Sequence, residues 1–112
     1  MAGVIKRLAG PLALTNVLTT NIYVPASALI YDIIRHIHIA NKTAGVVTFS
    51  LWLGATGANA AGTELFIGKV VAPNDTFDYY CAMKVTSVDF LVGGSNTATA
   101  LSITIEGESV VV

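Results

Sequence analysis

Apolar residues recur at every second position along nearly the whole chain, and no segment carries a stripe at helical spacing. A period of two is the signature of a strand with one face turned to a core. From Leu29 to Ala40 one face carries Leu29, Tyr31, Ile33, Arg35, Ile37 and Ile39. The other carries Ile30, Asp32, Ile34, His36, His38 and Ala40. β-Branched residues dominate, which favours a strand over a helix. The first face reads as core interrupted by one arginine. The second begins apolar and ends polar.

The same reading continues down the chain. Asn41-Lys42-Thr43-Ala44-Gly45 is a turn, and Val46 to Leu53 is a strand with Val47, Phe49, Leu51 and Leu53 on one side. Together the two strands predict a hairpin. Gly54 to Gly62 is a flexible loop of small residues, Glu64 to Val71 a strand, and Ala72-Pro73-Asn74-Asp75 a tight turn. Phe77 to Met83 presents Phe77, Tyr79, Cys81 and Met83 to one face, and Val85 to Val92 follows as another strand. Gly93-Gly94-Ser95-Asn96 predicts a break before a last strand, Thr97 to Glu106, with Thr99, Leu101, Ile103 and Ile105 inward. Gly107 is placed to bulge or end that strand, ahead of a short apolar tail, Ser109 to Val112. Leu12–Leu14 and Asn21–Val24 are short strands, Pro25-Ala26 marks a turn, and residues 1–11 form an extended N-terminal arm. The expected fold is all-β: a single antiparallel β-sandwich over residues 12–112, jelly-roll-like, with seven or eight strands.

The chain has 112 residues, enough for one domain. Only 12% of residues are charged and the net charge is −1, so no field draws it to nucleic acid or an anionic membrane. Lys6, Arg7, Arg35, Lys42, Lys69 and Lys84 are dispersed and form no basic stripe. The uncharged stretch from Leu8 to Tyr31 is broken by prolines, threonines and asparagines and makes a poor membrane helix. No signal-peptide core follows Lys6 and Arg7, so synthesis in the cytoplasm is expected. Cys81 is the one cysteine. It reads as a small buried hydrophobe, because no base lies near it in sequence to make a thiolate nucleophile.

His36 and His38, at i and i+2, share a strand face. A metal would need a third ligand. Asp32, four residues off, is about 13 Å away along a strand, so another strand would have to supply it. The reading assigned is therefore interface histidines, with Arg35 beside them at the strand's exposed end or paired with an acid across a subunit contact. Histidines in such a contact would make assembly pH-sensitive. Glu64, Asp75, Asp78, Asp89, Glu106 and Glu108 are scattered, and their spacing predicts no acid–base pair. Gly54-Ala55-Thr56-Gly57 and Gly93-Gly94 lack the lysine of a phosphate loop. Asn41-Lys42-Thr43 and Asn74-Asp75-Thr76 match the glycosylation pattern and are read as turn chemistry. No catalytic residue, cofactor or metal is assigned. Val4, Ile5, Lys6, Arg7 and Leu8 of the arm either fray or lie on a neighbouring subunit as an added strand, and the arm, residues 3–11, is the segment expected to contact a larger partner or a neighbouring copy.

Several segments, taken in order, carry a resemblance. They are Lys6-Arg7-Leu8-Ala9-Gly10-Pro11, Asn21-Ile22-Tyr23-Val24-Pro25-Ala26, Arg35-His36-Ile37-His38-Ile39-Ala40-Asn41, Ala72-Pro73-Asn74-Asp75-Thr76-Phe77 and Leu101-Ser102-Ile103-Thr104-Ile105-Glu106-Gly107. As a combination spanning nearly the whole chain, they resemble small virion proteins of tailed bacteriophages. The resemblance implies a compact β-sandwich repeated many times on the particle, commonly as a trimer, with no enzymatic activity. The expected role is a head decoration protein on the virion, with the major capsid protein and further copies of itself as partners. A tail, neck or baseplate component is the alternative. A carbohydrate-binding module, stacking sugars on Trp52, Tyr23, Tyr79 and Tyr80, is the alternative from another class.

Overall fold

The computed structural model describes residues 3–25, 27, 29–54 and 61–111. The expected loop is thus outside the described residues over 55–60, as are Ala26 of the expected turn and Val112 of the tail. Among the described residues the fold is all-β, with eight strands: β1 (Val4–Ala13), β2 (Asn21–Tyr23), β3 (Ile30–Asn41), β4 (Val47–Gly54), β5 (Glu64–Val71), β6 (Thr76–Val85), β7 (Phe90–Ser95) and β8 (Leu101–Val111). They form two four-stranded antiparallel sheets, ordered β1-β8-β3-β6 and β2-β7-β4-β5. Both sheets contribute to one core: Ile34, Ile37, Ile39, Val85, Leu101, Ile103 and Ile105 from the first, Val47, Phe49, Leu51, Val71 and Leu91 from the second. The arrangement is sandwich-like.

Inward alternation holds as predicted in β4 (Val47, Phe49, Leu51), in β6 (Phe77, Tyr79, Cys81, Met83) and in β8 (Leu101, Ile103, Ile105). In β3 it does not. Ile34 pairs with Gly107 and His36 with Glu106, two steps on β3 against one on β8. Arg35 is therefore an extra residue, a β-bulge. The bulge moves the core face from even to odd positions: Asp32 and Ile34 are buried before it, and Ile37 and Ile39 after it. Tyr31 and Ile33, expected inward, lie on the outer side. Asp32, expected beside the histidines, is buried instead and accepts a hydrogen bond from the Ser109 hydroxyl.

The predicted β3–β4 hairpin is also overturned, because β3 and β4 belong to different sheets. Among the described residues, β4 and β5 are the one pair of consecutive strands that are also sheet neighbours. Asn41 explains the corner. It is 3% exposed. Its Nδ2 donates to the carbonyls of Gly45 (2.9 Å), Val71 (3.2 Å) and Ala72 (3.2 Å). Its Oδ1 accepts from the Thr43 amide (2.9 Å) and hydroxyl (2.7 Å). One side chain thus ties the β3–β4 crossing to the β5–β6 crossing, the short-range hydrogen bonding for which Asn is favoured in turns. Asn74, in the second sequon, sits in the β5–β6 turn with φ of 53°, a conformation Asn tolerates better than most residues. Beside these corners, the Phe66 ring meets Phe49 at 5.5 Å, Phe77 at 5.5 Å and Tyr79 at 5.1 Å, bridging the two sheets.

Further expectations are corrected. The predicted Val85–Val92 strand is interrupted by a turn at 86–89, where the Asp89 carboxylate accepts from the amide and hydroxyl of Thr86. The predicted break at Gly93-Gly94-Ser95 is instead the buried end of β7. A Cβ on Gly93 would collide with the Ser50 carbonyl oxygen, so glycine is there for close backbone approach rather than for a turn. β8 in turn runs through Gly107 to Val111, while Thr99 lies exposed ahead of it with φ of 59°.

Asn41→Ala would leave the carbonyls of Val71, Ala72 and Gly45 and the Thr43 amide without this partner. Chemical unfolding should show a loss of about 3 kcal/mol. That corresponds to a melting point lowered by roughly 10–20 °C in a domain of this size. A change under 1 kcal/mol would show that the two corners hold without it.

Candidate functional site

The bulge that re-aims the core face also builds the outer surface of the β1-β8-β3-β6 sheet. Arg35 and the next residue, His36, both point away from the core, and His38 follows two residues on. Across the strand pairs, His36 stands opposite Tyr80 and Glu106, and His38 opposite Asp78. Charge is concentrated on the strands of this sheet, which carry Lys6, Arg7, Asp32, Arg35, Asp78, Lys84, Glu106 and Glu108. The strands of the other sheet carry only Glu64 and Lys69.

The histidines converge on one atom. His36 Nε2 lies 2.7 Å and His38 Nδ1 2.6 Å from the same oxygen, Asp78 Oδ1. These two hydrogen bonds, that from His38 foremost, hold the Asp78 carboxyl below its ordinary value of 3.8. An ionised carboxylate only accepts, so both facing ring nitrogens carry the proton. The His36 ring stacks on Tyr80, centroids 4.4 Å apart and planes 2° from parallel. Its other nitrogen, Nδ1, is 3.7 Å from Glu106 Oε1. The cluster is half-buried, with side chains 20% (His36), 37% (His38) and 35% (Asp78) exposed.

Arg35 pairs within its own chain, its Nε and guanidinium nitrogen 2.9 and 2.6 Å from Glu108 Oε2. The expectation of a strand-end position or a partner across a subunit contact is replaced by this pair. At an exposed site such a pair stabilises by about 1 kcal/mol at most, so it orients the arginine more than it holds the fold. Residues 4–8, expected as an arm, are the first half of β1, an outer strand paired to β8. Val4, Ile5, Lys6 and Arg7 are exposed and Leu8 packs against the core. They lie on the same sheet as the histidines.

The four aromatic residues are not brought onto one surface. Trp52 is buried in β4 and Tyr79 faces the core from β6. Tyr23, on the opposite sheet, has a buried hydroxyl without a hydrogen-bond partner among the described residues. Tyr80 is exposed, but His36 covers one ring face. Cys81 is half-buried, its thiol donating to the Ile34 carbonyl at 3.3 Å, and burial pushes it above its ordinary value of 9.0. Asp78, Glu106 and Glu108 are the site residues that reading the sequence missed, and Tyr80, named there only for stacking sugars, instead stacks on His36. The signal available was that Asp78 and Tyr80 fall opposite the core-facing Phe77, Tyr79 and Cys81 in the alternation of β6.

Two outcomes are expected. A carboxyl lowered by folding lends stability that is full above its unfolded value and is lost as pH falls through the lower folded value. The stability difference between the native chain and Asp78→Asn should therefore shrink progressively as pH falls below about 5. A difference independent of pH in denaturant titrations would refute the role of the ionised form. Cys81 should react with a disulfide reagent at pH 8 at least tenfold more slowly in the folded chain than in urea; equal rates would contradict its burial. Comparison with known proteins adds no family to this description: no protein-family model matches the chain, and no curated protein matches it.

Proposed function

We propose that this chain is a structural protein of a tailed-phage virion. As a head decoration protein it binds the outer surface of the major capsid lattice as a homotrimer, and it carries no enzymatic activity. The observation that carries the reading is the unequal character of the two sheets. One carries eight of the ten charged strand residues, of which Asp32 is buried and the others lie outside the core. The other is almost uncharged and has, on its edge strand β5, Ile67 and Val70 exposed to 62% and 57%. Exposed apolar residues on an open sheet edge suit a partner surface, and the charged sheet, whose edge strand β1 also exposes Val4 and Ile5, is left to face solvent and neighbouring copies.

Two further features support it. The strand orders β1-β8-β3-β6 and β2-β7-β4-β5, with nearly every connection crossing between sheets, accord with jelly-roll winding. Binding to a symmetric lattice through several weak contacts gains avidity without a large interface per copy. The exposed Val4 and Ile5 of β1 suit a contact with a neighbouring copy or the capsid, one of the roles expected for this segment.

Antibody labelling of purified virions by electron microscopy should place the protein densely over the head. Label confined to the tail or neck would replace this reading with the tail-component one. In sedimentation with heads lacking the protein, the double variant Ile67→Asp/Val70→Asp, with an unchanged circular dichroism spectrum, should bind at least tenfold more weakly than the native chain. Undiminished binding would exclude β5 as the capsid contact.

A further inference from the structure

We propose that His36, His38 and Asp78 form a binding site for a first-row divalent transition-metal ion such as Zn2+. The site stands independently of the virion reading. Taken alone, the sequence offers two imidazoles on one strand face and no third ligand within reach. β6 supplies it. His36 Nε2, His38 Nδ1 and Asp78 Oδ1 all lie within 4.8 Å of one another, on two strands whose register places His38 directly opposite Asp78.

The donor set selects the ion. Two imidazole nitrogens and one carboxylate oxygen suit zinc, nickel, cobalt or copper, whereas calcium and magnesium prefer all-oxygen sites. Bonds of about 2.0–2.2 Å at tetrahedral angles set neighbouring ligand atoms about 3.3–3.6 Å apart. The two nitrogen–oxygen separations, 2.7 and 2.6 Å, need to open by about 0.6–1 Å, within reach of a turn of the exposed Asp78 side chain. Both nitrogens already point to the Asp78 oxygen, so an ion enters the cluster as that carboxylate draws back and takes up the same two nitrogens.

Groups around the ligands fit the same role. Binding requires each facing nitrogen to give up its proton. For His36 the alternative location is Nδ1, 3.7 Å from Glu106 Oε1. A short side-chain adjustment gives the carboxylate–histidine–metal relay that raises ligand basicity. The Tyr80 stack fixes the ring plane. The partial exposure of all three side chains lets an ion enter. Three protein ligands leave a position for water or for a donor from a second molecule.

Isothermal titration of the full chain, stripped with chelator and then titrated with ZnCl2, should show one site with micromolar affinity, and CaCl2 and MgCl2 should show none. His38→Ala and Asp78→Asn should each weaken zinc binding at least tenfold while thermal melts confirm that they fold. Glu106→Gln, which touches no metal, should weaken it by about tenfold through His36. Co2+ should give the visible absorption of a nitrogen–oxygen site in the native chain and lose it in His38→Ala. Absence of zinc binding at millimolar concentration, or affinity unchanged in both His38→Ala and Asp78→Asn, would overturn the proposal and leave the cluster as a hydrogen-bonded surface group.

Discussion

The extra residue in β3 is the constraint on which the rest of the molecule depends. β3 lies between β8 and β6 and has no free edge, so a change of facing within it must be matched on both sides. Ile34 before the bulge and Ile37 and Ile39 after it are all fully buried. Without one inserted residue, either Ile34 or the later pair would turn to water, at about 1.5–3 kcal/mol for each side chain moved. Gly107 accommodates the insertion from β8: a Cβ there would collide with the Ile33 carbonyl oxygen. The residues spared from the core, Arg35 and His36, are the same ones that open the polar surface beside Asp78, Glu106 and Glu108.

The two sheets are joined by different means at different places. Across the middle they meet through aliphatic side chains. At the β5–β6 end, Phe49, Phe66, Phe77 and Tyr79 interlock in tilted and edge-on pairs, each contributing about 0.5–1.5 kcal/mol beyond area burial. Lys69 and Lys84 lay their ammonium groups over the rings of Phe77 and Tyr31, 5.1 and 4.6 Å from the centroids, so part of the scarce charge also covers aromatic surface.

Much of this was legible as periodicity. β4, β6 and β8 show their inward faces directly, and the turn at Asn74 follows from local chemistry. What escaped did so for physical reasons. A bulge leaves a period of two on either side of it, so the Leu29–Ala40 segment reads as one continuous strand in the wrong phase. Gly93-Gly94 resembles a break because a glycine chosen for close approach and one chosen for a turn have the same letter. Strand pairing was hidden because β3 and β6, which share the histidine–aspartate cluster, are separated in sequence by two strands of the other sheet. The shared face of His36 and His38 could be seen in advance, but the carboxylate they converge on could not.

The Asn41 corner bears on how this domain can be made. Its amide nitrogen is committed to three carbonyls inside the molecule, yet Asn41-Lys42-Thr43 carries the acceptor pattern for N-linked sugars. In a secretory expression host, modification and folding would compete for the same atom. A chain that folded first would have no acceptor to offer. A chain glycosylated first would carry a bulky polar group where two sheet crossings must close, and would be lost to quality control or aggregation. Yield from such a host would report the race between folding and glycan transfer rather than the stability of the finished domain.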